Sequence, residues 1–130
     1  MVLSEGEFRF VFTARDYDAS VSFYRNGLEL PLDHDWDYGT SDRGTVLHAG
    51  PAMIEIFGRA PGSDYTRPQG ISMLIRVNDV DRWFQLAKQR KLNIVQEPTT
   101  FPWGHRILRL LDPDGITVSL FSPVEEPPQA

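Results

Sequence analysis

The chain reads as an α+β protein made of two βαβββ modules joined end to end. Three observations predict this. Apolar residues change period along each half, from strand alternation to helical spacing and back to alternation. A glycine- and proline-rich stretch without periodic apolar residues divides the chain near its middle, and the segments on either side of it align with each other.

In the first half, Phe8, Phe10 and Phe12 alternate with Arg9, Val11 and Thr13, the period of a strand with two distinct faces. From Tyr17 to Asn26, "YDASVSFYRN", the residues Val21, Phe23 and Tyr24 recur at helical spacing. Asp16 or Asp18 is placed to cap this helix, and Gly27 to end it. Three strands follow, "LPLDHDWDY", "RGTVLHA" and "AMIEIFG", separated by the turn-forming "GTSD" and "GP". The stretch "GRAPGSDYTRPQG", with three glycines and two prolines, is the linker.

The second half repeats the pattern. "ISMLIRV" is a strand, "DVDRWFQLAKQRK" a helix with Val80, Phe84 and Leu86 or Ala87 on its apolar side, and "NIVQE", "HRILRLL" and "GITVSLF" are strands. Laid over each other with one inserted residue, the halves place Asp16 on Asp79, Asp18 on Asp81 and Phe23 on Leu86. The expected organisation is one domain over residues 1–130: module one at 7–58, a linker at 59–69, module two at 70–122 and a disordered tail at 123–130.

Composition narrows the function classes. The 130 residues are 41% hydrophobic, enough to fill one core. There is no cysteine, which excludes a disulfide framework, a thiolate zinc site and a cysteine nucleophile. Asp and Glu outnumber Lys and Arg 18 to 13, and "KQRK" is the only basic cluster, so no nucleic-acid partner is expected. The same charge balance favours cationic ligands. No window approaches the ~18 apolar residues of a membrane helix, and "MVLSEGEFRFVF" lacks the pattern of a signal peptide. A cytoplasmic protein without a membrane partner is expected.

"ARDYDASVSFYRNGLEL" after the first strand and "PWGHRILRLLDPDGITVSLF" near the end, within paired βαβββ modules, resemble the vicinal oxygen chelate superfamily. These are the glyoxalase, bleomycin resistance and extradiol dioxygenase proteins, and the likeness covers roughly residues 7 to 122. It implies that each sheet curls so that the two halves form a cleft, with the helices on the outer face. It also implies where metal-dependent members place their ligands: at the start of each half's first strand and in each half's last strand.

Here those slots hold Arg9, Glu55, Ser72 and Ser119. Only Glu55 is an ordinary metal ligand, a serine hydroxyl is a weak donor, and the permanent charge of Arg9 would repel an ion. The likeness is therefore closest to the metal-free, bleomycin-resistance-like branch, and neither metal nor cofactor is expected. His34, His48 and His105 fall outside the slots; a relocated site built from His34, His48 and Glu55 is the alternative.

In that branch the cleft binds a drug by stacking its planar groups on aromatic side chains. The corresponding candidates are Trp36 and Tyr38, which share a strand face with His34, Phe57 beside Glu55, Phe121 beside Ser119, and Trp103 in the loop before its strand. Arg9, His48 and Arg106 complete the expected ligand-binding set. Arg106 enters on an assumed register: if "DPDG" closes a four-residue loop, Leu111 faces Ile116, and Arg106 and Leu108 share the face of Ser119 and Phe121. A slip of one residue exchanges them for Ile107 and Arg109.

Two functions compete. The first is a homodimeric binding protein that sequesters an aromatic antibiotic or another natural product, with a small aromatic or cationic molecule as its ligand. The second is an enzyme of the same superfamily. It would be a metal-independent lyase, isomerase or hydrolase using Glu55 as general base, with Arg9 or Arg106 stabilising an oxyanion. A metal-dependent dioxygenase or glyoxalase-type lyase has three of the four slots against it.

Overall fold

The computed structural model describes residues 6–39 and 42–124. The chain divides into two compact units with the boundary between Arg67 and Pro68, inside the glycine- and proline-rich stretch. Unit one contains β1 (Arg9–Thr13), α1 (Tyr17–Val21), a π-helical segment (Ser22–Gly27), β2 (Leu32–Asp37), β3 (Arg43–Ala49) and β4 (Ala52–Phe57). Unit two contains β5 (Ser72–Arg76), α2 (Val80–Gln89), β6 (Asn93–Thr100), β7 (His105–Leu111) and β8 (Thr117–Pro123).

Both units follow one path. The strand orders are β1-β4-β3-β2 and β5-β8-β7-β6, and neither sheet closes on itself. In each, the first strand pairs in parallel with the last, and the remaining pairs are antiparallel. A helical crossover between parallel strands is what the change of period in the sequence requires.

The aligned aspartates do the same work in both units. Asp16 accepts the Ala19 backbone N–H at 3.1 Å, and Asp79 accepts that of Arg82 at 3.0 Å, so each satisfies a donor of the first turn. Past the helices, Glu29 (φ 58°) and Lys91 (φ 56°) both turn left-handed. One residue more separates Asp16 from Glu29 than Asp79 from Lys91. The π-helical segment absorbs it, with Leu28 N–H donating to Phe23 O at 3.0 Å. The helix expected from Tyr17 to Asn26 is thus α-helical only as far as Val21.

Each sheet has a helix side and a helix-free side. In unit one, Phe12, Leu47, Ile54 and Ile56 are buried on the helix side, where Phe12 meets the buried Tyr24 and Tyr17 Oη hydrogen-bonds Thr45 Oγ1. In unit two, Leu108, Leu110, Val118 and Leu120 lie on the α2 side and are buried, as are Val80 and Ala87 of the helix. Burial of a side chain of this size stabilises by about 1.5–3 kcal/mol, which is why the strands keep their register.

The "DPDG" hairpin departs from the expected register, and its chemistry explains the difference. The buried Asp112 carboxylate accepts the backbone N–H groups of Asp114 (2.9 Å) and Ile116 (2.8 Å). Gly115 N–H donates to Asp112 O, Asp112 N–H donates to Ile116 O, and Gly115 takes φ 85°. The loop therefore closes on Asp112 and Ile116 as a type I turn followed by a left-handed glycine, one residue shorter than assumed. Leu111 faces Thr117, Ser119 faces Arg109 and Phe121 faces Ile107.

Two smaller corrections concern ends. Tyr38 lies beyond β2, 80% exposed, because the strand stops at Asp37. β8 runs to Pro123, and Val124 N–H donates to Gly104 O at 2.9 Å, so Pro123 and Val124 of the expected tail are tied to unit two. Residues 125–130 lie outside the described residues.

Candidate functional site

Cross-strand rows on the helix-free side of unit one collect most of the residues picked out from the sequence. Trp36, Gly44, Phe57 and Thr13 form one row; His34, Val46, Glu55 and Val11 form the next; His48, Met53 and Arg9 form the third. Neighbours in such rows lie within side-chain contact.

The aromatic part is continuous. The His34 and Trp36 rings stack at 5.9 Å with a 26° interplanar angle, and Trp36 meets Phe57 edge-on at 5.6 Å. Trp36 Nε1 donates to Asp42 Oδ1 at 3.2 Å, which holds the indole in plane with its polar edge already paired. Gly44, directly across from Trp36, leaves the space the indole fills: a Cβ at this glycine would come within 2.3 Å of Trp36 Cζ2.

The charges on this face are matched. Arg9 Nη1 donates to Glu55 Oε1 at 2.8 Å and its Nε to Glu7 Oε1 at 2.7 Å. These two bonds, the one from Glu55 above all, raise the Arg9 pKa above its ordinary value. The Glu55 side chain is only 13% exposed, so its carboxylate is committed to Arg9.

Asp33 is the residue the sequence did not single out. A bulge between Leu32 and His34 gives β2 an extra residue, and the Asp33 carboxylate receives His34 Nδ1 at 2.5 Å and His48 Nε2 at 2.8 Å. The hydrogen bond from His34, with the charge of His48 adding to it, holds the Asp33 carboxyl below the usual range against the opposing effect of burial. In a regular strand Asp33 would point away from His34. Only the bulge brings them together.

These pairings correct the relocated metal site. His34 and His48 both turn to Asp33, and Glu55 turns to Arg9. Among the described residues, no group of three or more His, Asp or Glu side chains could hold a metal ion. The four slots fit a metal no better: Arg9 and Glu55 are tied to each other, and Ser72 and Ser119 offer hydroxyls alone.

In unit two, the helix-free side carries Ser119 and Phe121 as expected, but not Arg106. The shorter hairpin loop turns Arg106 to the helix side, where Nε and Nη2 donate to the Asp81 carboxylate at 3.1 and 2.9 Å and Nη1 to Thr100 Oγ1 at 3.0 Å. Arg109 takes its place across from Ser119. Its guanidinium lies 5.2 Å from the centroid of Phe101, and Phe101 stacks on Trp103 at 4.5 Å and 17°. Trp103, 62% exposed, is the open end of this ladder, and Phe121 contacts the His105 ring at 4.8 Å.

Duplicated βαβββ units with helices on one side and polar and aromatic rows on the other define a class of paired-module α+β domains. The chain belongs to the Glyoxalase/Bleomycin resistance protein/Dioxygenase superfamily, whose model matches residues 8–120. Among solved structures it is similar to TnmS3, an antibiotic binding protein from Streptomyces sp. CB03234, at 21% identity and TM-score 0.74, over 95% of this chain and 99% of that one. TioX from Micromonospora sp. ML1 is similar at 20% identity and TM-score 0.71, over 91% and 98%. A lactoylglutathione lyase from Agrobacterium tumefaciens is similar at 21% and 0.67, over 88% and 90%. At these identities the likeness is one of fold. No curated protein matches the chain.

Proposed function

We propose that the protein binds a planar aromatic antibiotic or natural product without a metal, and sequesters it unchanged, as a cytoplasmic homodimer. The observation that carries this reading is the His34–Trp36–Phe57 array, set over Gly44 beside a charge-matched Arg9–Glu55 pair. A flat ligand laid on these rings gains about 1 kcal/mol per stacked contact beyond the area it buries. The surrounding polar groups are already paired, so covering them leaves no orphaned charge. The fold likeness to an antibiotic binding protein supports the same reading.

The homodimer is supported by the edge strands. β1 and β5 end their sheets and present Val11 (50% exposed) and Leu74 (57% exposed) on the helix-free sides. An open strand edge with an exposed apolar side chain is suited to pairing with a second copy.

The test is a titration of intrinsic tryptophan fluorescence with a panel of planar antibiotics and aromatic metabolites, with and without divalent metals. Saturable quenching by one compound without metal, with the compound recovered unchanged by mass spectrometry, is the expected result. Binding that requires metal, or a ligand that returns chemically altered, overturns the proposal in favour of an enzyme.

A further inference from the structure

The charge on the two helix-free faces is distributed unevenly. In unit one every named charge has its partner: Arg9 has Glu55 and Glu7, and Asp33 has His34 and His48. In unit two, the positions of β5, β7 and β8 on this side include two arginines, Arg76 and Arg109, and no Asp or Glu. In a chain where acidic residues outnumber basic ones 18 to 13, these three strands thus place no acid on this side.

Arg109 is the centre of that face. It sits half-buried in a row with Gln96, Ser119 and Leu74, and no carboxylate among the described residues pairs with it. Arg9, Arg43 and Arg106 each have one. What holds Arg109 is neutral: Nη1 donates to Gln96 Oε1, and the guanidinium lies over the Phe101 ring. Both contacts orient the cation, and neither cancels its charge. A guanidinium that has given up part of its water and gained no anion is poised to receive one from a ligand.

We propose that the ligand of this face carries an anionic oxygen, a carboxylate or an ionised phenol, on or next to its planar ring, and that Arg109 receives it. This rests on the reading of the helix-free faces as ligand surfaces, and it reverses the cationic preference that the charge balance suggests in the sequence. Glu55 is already paired with Arg9, so a ligand cation has no free carboxylate to meet there.

The experiment compares three probes of one shape: 2-naphthoate, neutral 2-naphthamide and cationic 2-naphthylmethylammonium, each titrated by calorimetry against wild type, Arg109→Gln, Arg109→Lys and Arg106→Gln. Wild type should bind 2-naphthoate about tenfold more tightly than the amide, the size expected of a charge-assisted hydrogen bond. Arg109→Gln should lose that preference while holding the amide within about twofold; Arg109→Lys should keep part of it, since the charge stays and the planar fork goes. Arg106→Gln, altered on the helix side, should leave all three affinities unchanged.

Equal binding of the three probes to wild type, tightest binding of the ammonium, or an unaltered preference in Arg109→Gln overturns the inference and leaves the aromatic surface standing. Binding of none of them overturns both. Near-UV circular dichroism checks that each variant is folded, and Arg109→Lys decides the matter if Arg109→Gln is not.

Discussion

The Trp36 ring occupies the space that a side chain on Gly44 would fill, and this pairing sets the aromatic surface of unit one. Gly44→Ala should push the indole off its seat and loosen its contacts with His34 and Phe57. Overpacking of this kind costs about 1–3 kcal/mol, measurable by urea denaturation, and the near-UV circular dichroism of the indole should change with it. An unchanged spectrum and stability would mean that the ring is not seated on the glycine. Trp36, Phe57, Glu55 and Arg9 were legible as candidates from residue type and alternation. Gly44 and Asp33 were not, because a glycine gains its role only from the ring across from it, and Asp33 gains its role only from a bulge.

At the level of the element, the β7–β8 hairpin decides which arginine belongs to which face. Asp112→Ala removes the acceptor for two backbone N–H groups at a buried site, and the expected loss of stability is about 2–3 kcal/mol, read from the midpoint of chemical denaturation. A loss near zero would show that the backbone bonds alone hold the turn. The sequence placed both strands, but alternation leaves register open by one residue. That one residue moved Arg106 to the helix side and Arg109 to the other.

Arg106 then serves the helix, by tying α2 to β7. Its two bonds to Asp81 hold that carboxyl below its ordinary value. A lowered native pKa means stability that is present above about pH 4, the unfolded value, and that is lost as pH falls through the lowered one. The stability gap between wild type and Arg106→Gln should therefore be widest above about pH 4 and narrow as the pH falls below it. Thermal midpoints across this range check it; a gap that stays constant would locate the effect of Arg106 elsewhere.

For the whole molecule, the proposed homodimer gives a direct expectation: a solution mass of twice 14.8 kDa by sedimentation equilibrium, with Leu74→Asp shifting it toward the single-chain value. A mass of 14.8 kDa for the wild type at all concentrations would remove the dimer.

The duplicated βαβββ path, the helix caps and the inner and outer faces of most strands were determined by the sequence itself, because periodicity and capping are local. The aligned Asp16 and Asp79 cap their helices in the same way. The Arg106–Asp81 pair, the bulge at Asp33 and its two histidine partners, the π-helical residue in unit one and the register of the last hairpin were decided only by the tertiary structure. Each depends on which side chain or backbone N–H arrives opposite another, and an alternating pattern carries no record of that.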